Sequence, residues 1–444
     1  MSKTIAAIAT GNSVSGIGVI RISGERAIEI AQKVFKSADN TPLSSLKGYT
    51  AKFGNVYSKG EKYDNAIALV FRAPKSYTGE DVVELSVHGG IFIVEKTLES
   101  VLDAGASPAE AGEFTKRAFL NGKMDLTQAE AVATLISANG QEAAKASFNL
   151  LQGSLSNKIS NVLDKIVSLS ASMAAWVDYP DEEIPELDEK TLKNTLSFAK
   201  NELKELLDNY ESGMIMTQGV NTVIAGRPNA GKSTLMNMLS GKEKSIVTHI
   251  EGTTRDIVEN SVRLGSLVLH LSDTAGLRES DDVVEAIGIK KALERIDTAS
   301  LVLAVFDSSR ELDDDDKMLI DSCKGKKAVA VINKTDLSPK INTYKIKDNF
   351  ESIVYISAKN NLGLKELETA VKNILGVEEF DSSAPLIANR RQKQCIQTAC
   401  ENINEALSAA EIGLTYDAIN VMIDSAVDEL LALTGKKATE EVVN

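Results

Sequence analysis

The chain has 444 residues, 43% hydrophobic and 25% charged, which excludes disordered, collagen-like and disulfide-dense classes. Lys and Arg total 49 against 63 Asp and Glu, a formal charge of −14, so bulk electrostatics cannot hold nucleic acid; any such contact needs a local basic patch or a partner. Cys323, Cys395 and Cys400 are too few and scattered for a disulfide framework or a Cys zinc site, and a cytoplasmic, reducing setting is expected.

Length alone suggests two to four domains at ~100–200 residues each. The longest apolar runs, such as Leu301–Phe306, fall far short of the ~20 residues a membrane helix needs, so no membrane association is expected. The opening Met1-Ser-Lys-Thr-Ile-Ala-Ala-Ile-Ala-Thr has a shorter apolar run than the ~7–15 residues of a signal peptide and reads as a first strand.

Residues 1–119 mix strand and helix signals and predict an α+β domain. Thr4–Ala9, Gly18–Ile22, Tyr49–Tyr57, Ile67–Phe71 and Val82–Val87 read as strands, and Glu25–Phe35 and Ile91–Leu102 as helices. Over 120–215 the strand signals vanish. Leu155, Ile159, Val162, Ile166, Leu169, Met173 and Trp176 form one apolar stripe, and Leu192, Leu196, Ala199, Leu203, Leu206 and Tyr210 another, the pattern of a helical bundle with Trp176 and the Met residues in its core. An acidic loop, Asp178–Glu189, separates them.

Over 216–377 the texture changes. Thr222–Ala225, Ser261–Leu264, Leu267–Ser272, Leu301–Asp307, Ala328–Asn333 and Ile353–Ile356 alternate with helical segments, predicting an α/β domain with a mainly parallel sheet. Residues 378–444 return to helical stripes: Ile396, Ala399, Ile403, Ala406 and Ala410, then Ile419, Met422, Ala426, Leu430 and Leu433. The simplest architecture is a discontinuous helical domain with the α/β domain inserted; the alternative is two separate helical domains.

Gly226-Arg-Pro-Asn229-Ala230-Gly231-Lys232-Ser233 fits G-x-x-x-x-G-K-[ST], after a strand and opening a helix at Thr234, as a P-loop requires. Its glycines let backbone N–H groups surround phosphate oxygens, Lys232 brings charge to the β/γ-phosphates and Ser233 offers a hydroxyl to Mg²⁺. Asp273-Thr274-Ala275-Gly276 ends the next strongly apolar strand, where the Asp can hold Mg²⁺ through water and the Gly can approach the γ-phosphate. Asn333-Lys334-Thr-Asp336 ends another strand. A carboxylate at Asp336 can accept guanine's N1–H and amino donors, a pair adenine lacks, and Lys334 can lay its stem over the base. Ser357-Ala358-Lys359 follows the final strand, where backbone N–H groups can reach the guanine oxygen. Four motifs in this order predict a P-loop GTPase domain.

Leu277 stands where Ras-type GTPases place a water-orienting Gln. Either water is oriented from elsewhere or the chain hydrolyses GTP poorly alone; Glu279, Asp281, Asp282 and Glu285 are the nearby carboxylates, each of which by itself reads first as solvated loop. Thr248-His-Ile-Glu-Gly-Thr-Thr-Arg-Asp256 occupies the switch-loop position: Thr254 can reach Mg²⁺, and neighbouring oxygens suit a monovalent cation. In the N-terminal domain Arg21 reads as a strand end, and Gly89-Gly90 after a strand containing Glu84 as either a structural turn or a close backbone approach to a small molecule. His88, His249 and His270 show no metal spacing and no nucleophile partner.

These motifs, together with Gly18-Val-Ile-Arg-Ile-Ser-Gly24, Tyr77-Thr-Gly-Glu-Asp81, His88-Gly-Gly90, Ala111-Gly-Glu-Phe114 and Arg117-Ala-Phe-Leu-Asn-Gly-Lys-Met-Asp-Leu126, resemble the MnmE (TrmE) family of tRNA uridine-modification GTPases along essentially the whole chain. The resemblance implies an N-terminal domain that dimerises and binds 5-formyl-tetrahydrofolate, with Arg21, Glu84 and Lys123 matching the folate site. It implies GTP hydrolysis stimulated by K⁺, with Asn229, Thr248, Ile250 and Thr253 matching K⁺ ligands, Ser233 and Thr254 matching Mg²⁺ ligands, and Lys232 and Glu285 matching catalytic residues, Glu285 as water-orienter. It implies a flavin-dependent partner, MnmG, in a heterotetramer or larger assembly, that acts with this chain on the wobble uridine of certain tRNAs to add an aminomethyl-type group at C5.

There is one departure. The family ends in a Cys-x-Gly-Lys tail needed for the modification, whereas this sequence ends Val442-Val-Asn444, and Cys395 and Cys400 do not match that tail. Either the tail was trimmed from this sequence or it is lost; GTP hydrolysis is expected without it, whereas tRNA modification by the sequence as given is left open. The rival expectation is a GTP-driven assembly switch without one-carbon chemistry.

Overall fold

The computed structural model describes residues 3–138, 140–178, 188–241, 261–271 and 295–436. They form two compact units, one holding 3–132 and 434–436 and the other the remainder.

The first unit is built on a seven-stranded sheet of order β3-β4-β5-β6-β2-β1-β7. Its strands are β1 Ile5–Ile8, β2 Ile17–Ser23, β3 Phe35–Ser37, β4 Thr50–Ser58, β5 Glu61–Phe71, β6 Val82–His88 and β7 Ser107–Pro108. The very short β3 and β7 carry no readable period, so they are invisible in the sequence and exist through pairing with β4 and β1. Helices α1 (Ala27–Val34) and α2 (Ile91–Asp103) cover one face, where Ile20, Ile22, Val83, Leu85, Ala68, Val70, Ile30 and Val101 are buried. The alternation of each strand leaves the opposite face with Phe53 paired to Ile67, both exposed. Helix α3 (Glu113–Leu120) completes the unit.

Helices α4 (Leu126–Ile136), α5 (Gln141–Leu151), α6 (Ser154–Asp178), α7 (Glu189–Asp208) and α8 (Tyr210–Gln218) then run without a strand. Leu155, Ile159, Val162, Ile166, Leu169 and Met173 on α6 are buried, as are Leu192, Leu196, Ala199, Leu203 and Leu206 on α7. Trp176 corrects the expectation of a core residue: it is 38% exposed, its ring set edge-on to Tyr416.

A second sheet follows, with order β13-β12-β11-β8-β10-β9. It comprises β8 (Val220–Gly226), β9 (Ser261–Leu264), β10 (Leu267–Leu271), β11 (Leu301–Asp307), β12 (Ala328–Asn333) and β13 (Ser352–Tyr355). All neighbours are parallel except β9–β10. Every residue of β11 and β12 is buried, as continuous Val/Leu/Ala runs in a doubly covered parallel sheet should be. Helices α9 (Lys232–Ser240), α10 (Asp314–Ser322), α11 (Tyr344–Lys347) and α12 (Leu364–Leu375) accompany it. Asp313 starts α10 with a capping box, accepting from the Asp316 backbone N–H while Asp316 accepts from its own.

Helices α13 (Arg390–Glu411) and α14 (Tyr416–Thr434) close the described chain. α13 packs against α7, burying Ile396, Ala399, Ile403, Ala406 and Ala410. On α14 the buried stripe runs through Ile423 rather than the expected Met422, because four-residue steps from Ile419 reach Ile423. Gln218, just before β8, donates to the Ala388 carbonyl, just before α13, so the chain enters and leaves the α/β segment side by side. No helix among the described residues is long and apolar enough to cross a membrane.

Candidate nucleotide-binding site

The P-loop spans the end of β8 and the start of α9. Gly226, with φ 158°, sits so close to β11 that a Cβ would lie 2.5 Å from the Val305 carbonyl oxygen. Asn229 (φ 60°) and Gly231 (φ 96°) adopt left-handed backbone, the tight turn that brings the loop round to α9. Ser233 and Thr234 stand on the first helical turn, beside the positive end of the helix dipole. Lys232 reaches back across the loop: its Nζ donates to the carbonyls of Gly226 (2.8 Å) and Arg227 (2.7 Å). Burial pushes its ammonium below the ordinary value.

The Asn333–Asp336 loop is tied directly to the P-loop. Buried Asn333 donates from Nδ2 to the Ala230 carbonyl at 3.0 Å, and its Oδ1 accepts the Ala358 backbone N–H at 3.0 Å. One side chain thus joins three motifs far apart in sequence. Asp336 is exposed and accepts from Ser357 Oγ at 2.6 Å; that bond holds its carboxyl below the usual range, helped by Lys359 and Lys334. Lys334 has φ 64°, its carbonyl accepts from Ser308 Oγ (2.8 Å), and its Nζ pairs with Asp307 Oδ2 (2.5 Å). Lys359 is exposed beside Ala358.

Of the other expected site residues, Thr248, Ile250, Thr253, Thr254, Asp273, Thr274, Ala275, Gly276 and Glu285 lie outside the described residues, as do Leu277, Glu279, Asp281, Asp282, His249 and the 179–187 part of the acidic loop.

The sequence reading missed two features here. Asp307 ends an otherwise wholly apolar strand, a signal that was available, since polar groups at the carboxyl ends of parallel strands face the ligand crevice. Arg227 pairs with Asp313 and, at 3.6 Å, with Asp315, linking the P-loop to the start of α10, and nothing in the local pattern announces it.

In the first unit Arg21 lies within β2, not at its end, directly opposite Glu84 of β6, and its Nε meets Glu84 Oε1 at 2.8 Å. The guanidinium stands 5.4 Å from the Tyr77 ring centre and 5.5 Å from that of Phe114. Lys123 donates from Nζ to the Pro74 carbonyl (3.0 Å), while Asn121 holds the Thr78 carbonyl (2.7 Å), so both brace the loop that carries Tyr77. Glu80 and Asp81 of the same loop are held by Arg117 and Arg72. Gly89 is a close backbone approach, but to Ser15 of this chain, whose Oγ a Cβ would meet at 2.3 Å. His88 pairs through Nδ1 with Asp64 at 2.6 Å; His270 bridges Ser261 and the Gln218 carbonyl.

A parallel sheet with a P-loop at the end of β8 and an Asn-Lys-x-Asp loop hydrogen-bonded to it defines a P-loop GTPase-type nucleotide-binding protein. The family of the MnmE helical domain matches residues 126–444, and that of the GTP-binding protein TrmE N-terminus matches 4–123. The tRNA modification GTPase MnmE of Clostridioides difficile (strain 630) is 39% identical over 447 residues, covering 100% of this chain and 97% of that protein. That of Carboxydothermus hydrogenoformans is 40% identical over 450 residues, covering 100% and 98%. Among solved structures, the G domain of the T. maritima FeoB iron transporter is 26% identical and covers 35% of this chain and 98% of its own, with a TM-score of 0.25. The chain belongs to the MnmE family of tRNA modification GTPases.

Proposed function

We propose that this chain binds GTP between the P-loop and the Asn333–Asp336 loop, hydrolyses it, and couples the cycle to modification at C5 of the wobble uridine of certain tRNAs. The observation that carries the nucleotide site is Asn333, whose two hydrogen bonds hold the Ala230 carbonyl and the Ala358 N–H in one frame. Asp336, kept ionised, accepts guanine's N1–H and amino group, and the Ser357-Ala358-Lys359 segment offers a backbone N–H to the guanine oxygen. Asn229, Ala230, Gly231, Lys232 and Thr234 surround the phosphates. Lys232, already held over the loop, contributes charge at the β/γ-phosphates in the transition state.

Ser233 and Thr254 would hold Mg²⁺, which would supply positive charge beside the transferring phosphate; the place of Ser233 on the first turn of α9 fits that role. Asn229, exposed on the loop, suits K⁺ together with Thr248, Ile250 and Thr253. Glu285 orients the attacking water, the task the residue at Leu277 cannot perform.

In the first unit, Arg21, Glu84 and Lys123 bind 5-formyl-tetrahydrofolate as the one-carbon source. An Arg–Glu pair flanked by Tyr77 and Phe114 suits a flat, polar heteroaromatic ring. The uncovered sheet face around Phe53 and Ile67 supports a homodimer, and the flavin-dependent MnmG completes the modifying assembly in the cytoplasm.

Asp336→Asn tests the reading. The amide presents a donor where the carboxylate accepted, and xanthine carries a C2 carbonyl in place of guanine's amino group. GTP turnover below saturation should fall by about tenfold or more, with xanthosine triphosphate turnover rising above wild type. An unchanged preference for GTP overturns the assignment.

A further inference from the structure

Asp307 is nearly buried at the carboxyl end of β11, in register with Asn333 on β12. Its carboxylate is fully engaged: Oδ1 accepts the Ser309 backbone N–H (2.9 Å) and Ser309 Oγ (2.7 Å), and Oδ2 takes the Lys334 ammonium (2.5 Å). Burial by itself would raise its pKa, but these donors and the Lys334 charge outweigh it and hold the group below the usual carboxylate range. A buried carboxylate kept ionised by a dedicated hydroxyl and N–H is a fixed anchor for whatever cation it faces.

That cation is a residue of the base-reading loop whose backbone is itself constrained. Lys334 sits at φ 64°, a conformation that costs a non-glycine residue free energy unless its surroundings impose it. The surroundings come from the same loop as Asp307: Ser308 Oγ donates to the Lys334 carbonyl at 2.8 Å and the Ser308 N–H donates to the Asn333 carbonyl at 2.9 Å.

We propose that Asp307 is a positioning residue for guanine recognition. It acts through Lys334, anchoring the ammonium so that the methylene stem is stretched and preorganised as a wall for the base face. The inference rests on the assignment of Asn333–Asp336 as the guanine reader. It carries consequences the assignment does not: binding of GDP and GTP depends equally on Asp307, because the wall touches the base and not the phosphates. Turnover at saturation does not depend on it.

The test is a double-mutant cycle on the full chain: wild type, Asp307→Asn, Lys334→Met and the pair, titrated with fluorescent GDP and a fluorescent non-hydrolysable GTP analogue. Asp307→Asn should weaken both nucleotides by about tenfold and raise KM while kcat holds, since it removes one charge-assisted hydrogen bond. In the Lys334→Met background the same substitution should cost nothing further. Inosine triphosphate, which keeps the ring face but lacks the amino group, should lose the same factor as GTP. Wild-type affinity in Asp307→Asn overturns the proposal; so does an equal loss in both backgrounds, which would make Asp307 a support of the fold alone. Wild-type affinity in Lys334→Met also overturns the proposal, since the anchored ammonium would then do nothing for the base, whereas the guanine-reader assignment fails separately, on an unchanged preference for GTP in Asp336→Asn. Thermal melts accompany each variant, and if Asp307→Asn does not fold, Asp307→Glu, which keeps the charge but displaces it, enters the same cycle with the same criteria.

Discussion

Asn333 and Ala230 lie 103 residues apart in the chain and share a hydrogen bond of 3.0 Å from the Asn amide to the Ala carbonyl. The P-loop and the Asn333–Asp336 loop are therefore one hydrogen-bonded unit, and disturbing either loop should be felt at the other.

Gly231 is the sharpest test of that unit. A Cβ there would lie 2.2 Å from Asn333 Nδ2, and φ 96° is strained for any other residue. Gly231→Ala should cost about 1–3 kcal/mol in stability and weaken GTP binding by more than about tenfold. Calorimetric titration showing wild-type affinity would mean the two loops move independently.

Lys232 makes a prediction with a definite sign in pH. Its folded pKa lies below its ordinary value of 10.5, so the unfolded chain holds the proton more tightly. Stability of the nucleotide-free protein should then rise with pH between the depressed folded value and 10.5. Lys232→Met should abolish nucleotide binding, remove that slope and leave the protein at least as stable at neutral pH. Urea unfolding at stepped pH checks this; identical slopes in the two proteins would reject it.

For the first unit, 5-formyl-tetrahydrofolate should bind saturably to the wild type and not to Glu84→Ala, while GTP turnover is retained. The lost Arg21–Glu84 pair is partly exposed and should cost no more than about 1 kcal/mol of stability. Binding that survives the substitution would move the one-carbon site elsewhere.

Glu285→Ala should lower kcat by about 10²–10³-fold with GTP affinity nearly unchanged, the signature of a group acting on the attacking water. Turnover should also fall when Na⁺ replaces K⁺ at matched ionic strength. Equal rates in the two salts would remove the monovalent cation from the mechanism.

What could be read from the residues alone was what depends on neighbours in sequence. The wholly apolar runs of β11 and β12 announced central parallel strands, and the stripes of α6, α7 and α13 announced packed helices. The P-loop and the Asn-Lys-x-Asp loop were legible because their chemistry is set by spacing within a few residues. Trp176 shows the limit: it continues the α6 stripe, yet at the last turn of the helix it is left half-exposed against Tyr416.

Only the tertiary structure decided which loops meet. That Asp307 stands beside Lys334 follows from the parallel register Asp307 to Asn333, and that Arg21 faces Glu84 follows from the antiparallel register of β2 and β6. Register is chosen by the summed burial of whole strands and the path of the connections between them, so no local pattern contains it. The sequence by itself determined a GTPase of this family; the packing of its strands decided which side chains meet.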